Sequence, residues 1–236
     1  MNVSLERLLG KFQNVARQKI RKEFNATSCI PSTRVTIDVL RAFHIEAEPL
    51  PVRMSVANEL YMKALSEGDL PPEDERGRDE WSARTGACSR VIGMDDNDNE
   101  TVQDSCFTGM PFKPENFIGM SPVEPDTAMF LAKGEWNGHL VAHIPKYHLF
   151  IDASANQANW PEKNIKLPGV IVIRDIDNRF LHGDDSLSRL MYGCLVQYEV
   201  SSNQDYLQSD AWKDKSLTEP TVKAIYRAMR RTGGAR

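Results

Sequence analysis

Cysteine is scarce in this chain, and its four copies are scattered. Cys29, Cys88, Cys106 and Cys194 are the whole complement of 236 residues, and no two form a CxxC pair. That excludes a small disulfide-stapled scaffold and argues against structural zinc held by paired thiolates. No apolar run approaches the roughly 18 residues of a membrane span. The opening stretch MNVSLERLLGKFQNVARQKIRK is amphipathic and lacks the continuous apolar core of a signal peptide. Positive charge is not in excess either: 29 Lys and Arg against 33 Asp and Glu give a net charge of −4 and a pI of about 5.8. The basic residues are spread along the chain, which speaks against a dedicated nucleic-acid binder. The glycines form no phosphate-binding pattern, and there is no internal repeat. These absences leave a cytoplasmic protein of a reducing compartment as the expectation, with neither nucleic acid nor membrane among its partners. Apolar residues make up 41% of the chain, enough to bury a core unaided.

Apolar positions in 3–24 recur at three- and four-residue spacing and predict a helix with one buried face and Arg and Lys on the other. After the polar break NATSCIPST, a second helix is expected from Cys29 to about Phe43. Thr27 or Ser28 can cap it, and Pro31 is tolerated in its first turn. Its β-branched residues predict burial on several sides. The stretch 45–57 reads as a strand whose Pro49 and Pro51 place it at an edge or beside a bulge. Residues 57–66 suggest a short helix. From Gly68 to about residue 130 the chain is rich in Pro, Gly and charge, which predicts an exposed insertion. Ordered patterning returns in GHLVAHIP and YHLFIDAS, two strands around a break at Lys146, then in VIVIRDI (170–176) and CLVQYEVS (194–201). A basic amphipathic helix follows near the C-terminus. Helices first and strands later indicate an α+β fold, with N-terminal helices packed on an antiparallel sheet, and a single domain over 1–236.

Two constellations can carry chemistry. A cysteine at a helix N-terminus, as predicted for Cys29, meets unpaired N–H groups that stabilise a thiolate and can also bind an oxyanion. The bland alternative is a small buried hydrophobe, which is also the reading of Cys88, Cys106 and Cys194. His139 opens one predicted strand and Asp152 closes the next, so an antiparallel hairpin brings them near each other. A buried aspartate needs a partner, and the histidine supplies one, either as a structural hydrogen bond or as an oriented general base.

The stretch SCIPSTRVTIDVLRAFHIEAEPLPV resembles the core of the transglutaminase-like superfamily, where a nucleophilic cysteine opens a helix ending in LR-x-x-G-I-x-A. Leu40, Arg41, Ile45 and Ala47 match, and His44 stands where glycine is usual. GHLVAHIPKYHLFIDAS resembles the second block, with Gly138, His139, Ile151, Asp152 and Ser154 in place and Gln157 fitting a D-x-[ST]-x-x-Q variant of bacterial members. The likeness covers about 45 residues in two blocks. Cys29 and His139 stand some 110 positions apart, which implies a large insertion, and Val141 replaces a frequent aromatic, with Trp136 as a possible substitute.

The resemblance implies a papain-like, transglutaminase-like core in which Cys29 is the nucleophile, His139 the general base and Asp152 its orienting partner. The implied activity is acyl transfer from an amide or thioester of a peptide, protein or small molecule, as peptidase, deamidase or transglutaminase. Arylamine N-acetyltransferases share a Cys-His-Asp set in this order, so small-molecule acyl transfer belongs to the same expectation. The chemistry requires no cofactor and no metal. A non-catalytic interaction module retaining the fold is the alternative. Weaker readings are a metal site from His139, His143, His148 and Asp152, a calcium loop in DDNDNE, and an anion-binding basic tail.

Overall fold

The computed structural model describes residues 5–24, 29–72, 74–92 and 138–231. Helix α1 (Leu5–Glu23) buries Leu8, Phe12, Ala16 and Ile20 at four-residue spacing, with Leu9 beside them. Glu6 in its first turn and Arg21 and Lys22 in its last complement the helix dipole. Helix α2 (Cys29–Ala42) is buried on nearly every side, from Cys29 through Thr33, Val35, Ile37 and Leu40. It ends in a Schellman motif: Ile45 N–H returns to the Leu40 carbonyl at 3.0 Å and His44 N–H to Arg41 at 2.9 Å. His44 itself sits at φ 60°, a left-handed position that favours glycine.

Strand β1 (Glu48–Asn58) follows, and here the expectation of an edge strand is corrected. β1 is central, pairing with β3 (His139–Ile144) on one side and β7 (Cys194–Val200) on the other. Its prolines survive because pairing with β7 begins only at Val52, so Pro49 and Pro51 lie where the ladder has one partner. Asn58 closes β1 and caps α3 (Glu59–Ser66), accepting from Tyr61 N–H at 2.8 Å.

The first part of the stretch expected to be an exposed insertion also packs. Helix α4 (Glu75–Thr85) buries Trp81 edge-on against Tyr61, with ring centroids 5.6 Å apart, and β2 (Ser89–Ile92) pairs with β1. Residues 93–130, with Cys106 and the DDNDNE segment, lie outside the described residues, as does Trp136.

β3 and β4 (Leu149–Asp152) form a hairpin across a 3-10 turn at Pro145–Tyr147, closed by His148 at φ 48°. β5 (Ile171–Arg174) adds to β4. β6 (Leu187–Met191) pairs with β7 through Tyr192 and Gly193, both at positive φ as a type I′ turn requires. All pairings are antiparallel, in the order β5-β4-β3-β1-β7-β6, with β2 also on β1.

The architecture is α+β, an antiparallel curled sheet with helices. One face of the sheet, with Ala142, Ile144, Leu149 and Ile151, packs under α1, α2 and the closing helix α5 (Glu219–Arg231). The other face gathers Val52, Met54, Val56, Val141, Phe150, Ile173 and Val196 over the segments that link the strands. No helix among the described residues is long and apolar enough to cross a membrane.

Candidate active site

The sheet places the site through register. Ala142 pairs with Ile151, and continuing that register sets Asp152 opposite Val141. Val141 and His139 share a face of β3, because alternate strand residues point the same way. His139 and Asp152 are therefore diagonal neighbours rather than directly opposed, a separation that an imidazole spans. His139 Nε2 lies 2.8 Å from Asp152 Oδ2, and both side chains are fully buried.

Asp152 is held by more than the histidine. The Tyr198 hydroxyl donates to the same Oδ2 at 2.9 Å from β7, and the Ser154 N–H donates to Oδ1 at 2.9 Å. A carboxylate taken out of water needs such a set of donors to offset its lost hydration. Burial and the neighbouring Asp152 both hold the Tyr198 phenol well above its usual range, so it stays a donor. Gln157 N–H closes the next turn on the Ser154 carbonyl at 2.9 Å.

Cys29 approaches from the helical side. Thr33, one turn into α2, donates its hydroxyl to the Leu140 carbonyl at 2.6 Å and so fixes the helix start against β3. The Cys29 thiol donates to the Gly138 carbonyl at 3.5 Å. Since Asp152 occupies Nε2, the histidine's Nδ1 is left open to the thiol, and it is a buried nitrogen with no hydrogen bond at standard distance. Burial on its own would pull the His139 pKa down. The Asp152 charge and hydrogen bond, with Cys29 adding to them, override burial and push it up to about 10. His139 is therefore an imidazolium at neutral pH.

No family model, curated protein or solved structure matches this chain.

The structure thus brings Cys29, His139 and Asp152 together from α2, β3 and β4. It does not bring His143 or His148 into that cluster. His143 Nδ1 pairs with Glu48 at 3.0 Å, His148 is exposed in the hairpin turn, and no group of three or more metal-ligating side chains occurs among the described residues. Cys88 and Cys194 are buried elsewhere.

Two features have no counterpart in the sequence reading. Tyr198 is one, although a tyrosine on a buried strand signals a hydroxyl in need of a partner. The other is the cover over Cys29, where Tyr206 and Trp212 pack with Ile30 and Leu140 and leave the cysteine 6% exposed. Arg34 holds that cover by donating to the Trp212 carbonyl and by lying 5.0 Å over the Trp212 ring. Nothing in the sequence between 201 and 217 relates it to a cysteine some 180 positions earlier.

Proposed function

We propose that this protein is a cysteine-dependent acyl-transfer enzyme with a papain-like, transglutaminase-like core, acting on amides or thioesters through Cys29, His139 and Asp152. The observation that carries the reading is the buried His139–Asp152 pair whose second nitrogen is open to a cysteine at the first residue of a helix. Imidazolium beside thiolate is the reactive form of such a pair. The first turn of α2 contains no acidic residue to oppose a thiolate, and backbone N–H groups at a helix start suit an oxyanion.

The sulfur attacks the carbonyl carbon, and the carbonyl electrons move to oxygen. Collapse of that tetrahedral adduct expels the amine or thiol, which takes the proton from His139 Nδ1. Neutral His139 then removes a proton from the acceptor, water or an amine, as it attacks the thioester. The second collapse expels the cysteine sulfur as thiolate, and with the acceptor's proton already on Nδ1 the starting imidazolium–thiolate pair is restored. Asp152 holds the ring in one orientation throughout and stabilises its charged form. Hydrolysis and transfer differ only in the acceptor.

The burial of all three groups supports a second reading, in which the network is structural and the domain serves as an interaction module. Alkylation separates the two. With iodoacetamide at pH 6 and peptide mapping by mass spectrometry, Cys29 of the enzyme reacts faster than Cys88 or Cys194, and His139→Ala slows it by about tenfold or more. Equal rates at the three cysteines, unchanged by His139→Ala, would overturn the catalytic reading.

A further inference from the structure

A shallow, solvent-open cleft of about 20 Å³, room for about one water-sized group, lies between α1, the first turns of α2 and the segment after β4. Its polar lining is Arg17 and Arg21 from α1, Ser32 from α2, and Ser154 and Asn156 after β4, with Gly169 in its wall. No carboxylate is among the described residues that line it. Two guanidiniums, the Ser32 hydroxyl and the Asn156 carboxamide can donate hydrogen bonds into it, while the Ser154 hydroxyl is turned to Asp152 Oδ1 at 3.5 Å, and such a donor set suits an anion.

Two observations indicate that the lining is unsatisfied. Arg17 and Arg21 are exposed, stand at i and i+4 on one helix face, and have no ion-pair or hydrogen-bonding partner among the described residues. Like charges at that spacing repel, so the pair opposes helix stability unless an anion sits between them. Ser32 is 1% exposed, yet its hydroxyl makes no hydrogen bond with the described residues and borders the cleft. A buried hydroxyl facing such an opening needs a partner. Gly169 keeps the cleft open: a Cβ there would lie 3.3 Å from Asn156 Oδ1 and 3.8 Å from Arg17 Cγ.

We infer that this cleft is a binding site for a small oxyanion, the carboxylate or phosphate group of a metabolite-sized ligand, held between Arg17 and Arg21 and hydrogen-bonded by Ser32 and Asn156. The charged groups of the site lie outside the Cys29 cluster, and the two meet only at Ser154, which lines the cleft and also donates to Asp152.

The experiment is a titration of the full chain with inorganic phosphate, with sodium acetate and with sodium chloride at matched ionic strength, followed by the amide resonances of Ser32, Ser154 and Asn156. Saturable shifts with phosphate or acetate but not with chloride are expected. The tighter of the two anions identifies the ligand's charged group as phosphate or carboxylate. The Arg17→Gln/Arg21→Gln double variant, altered only at exposed positions, binds about tenfold more weakly or not at all. Gly169→Leu fills the cleft and abolishes binding while both arginines remain. Shifts that do not saturate, that chloride reproduces, or that persist in the double variant would overturn the inference.

Discussion

Strand β3 carries two histidine–carboxylate pairs, one at each end, and they differ in what surrounds the pair rather than in the pair itself. His139 bonds Asp152 at 2.8 Å and His143 bonds Glu48 at 3.0 Å. Each ring leaves its second nitrogen buried without a hydrogen-bonding partner, Nδ1 in His139 and Nε2 in His143. Glu48, however, is 58% exposed at the start of β1, whereas Asp152 is fully buried and takes further hydrogen bonds from Tyr198 and Ser154. Among the described residues, a thiol lies beside the second nitrogen of His139 and not of His143. A histidine–carboxylate contact is thus found twice on one strand, and what sets the His139 pair apart is its full burial, its extra donors and the thiol beside its second nitrogen.

Breaking the buried pair gives the largest effect. Asp152→Asn removes the charge that His139 relies on, and urea unfolding is expected to show a loss of about 3–5 kcal/mol, as for other buried ion pairs deprived of one member. Raising the pH acts on the same attraction. The His139 pKa is about 10 in the folded chain against 6.5 for a free imidazole, so the native state holds the proton more tightly. The stability from this pair is complete below about pH 6.5 and is lost as pH rises toward 10, which unfolding midpoints taken across that range will show. Tyr198→Phe deletes one donor to Asp152, with an expected cost of about 1–3 kcal/mol and slower Cys29 alkylation at pH 6, since the His139–Asp152 pair is less firmly held. Glu48→Gln, at the exposed end of the same strand, is expected to cost less than about 1 kcal/mol and to leave that alkylation unchanged. Equal costs for Asp152→Asn and Glu48→Gln would erase the distinction between the two pairs.

Much of this arrangement was readable in advance wherever a local pattern carried it. The four-residue spacing of Leu8, Phe12, Ala16 and Ile20 and the β-branched run after Pro31 marked α1 and α2, and the alternation around Lys146 marked the β3–β4 hairpin. The start of α2 at Cys29 followed from Pro31 and the polar break before it. Long-range partners left no such trace. Pro49 and Pro51 made β1 look like an edge because the sequence does not tell where β7 stops pairing. β6 escaped notice because Leu190 is 77% exposed and the strand lacks alternation. Helix α4 hid in a charged stretch, since Trp81 is its main anchor to Tyr61. Tyr198 and Trp212 reach the site from strands and turns far along the chain, and only the folded sheet shows what they touch.

The central place of β1 also sets an order of events during synthesis. The chain delivers α1, α2 and β1 early, and β2 supplies a partner for Met54–Ala57 soon after, but β1 must wait for β3 and then for β7, almost at the far end, before its pairing is complete. Cys29 and Gly138 are 109 positions apart, and Arg34 and Trp212 are 178 apart. Closing such long loops costs entropy before any contact repays it, which makes folding slow. On a ribosome-bound chain Cys29 therefore meets Gly138, His139 and Leu140 only once β3 has emerged, and its cover of Tyr206 and Trp212 only after β7.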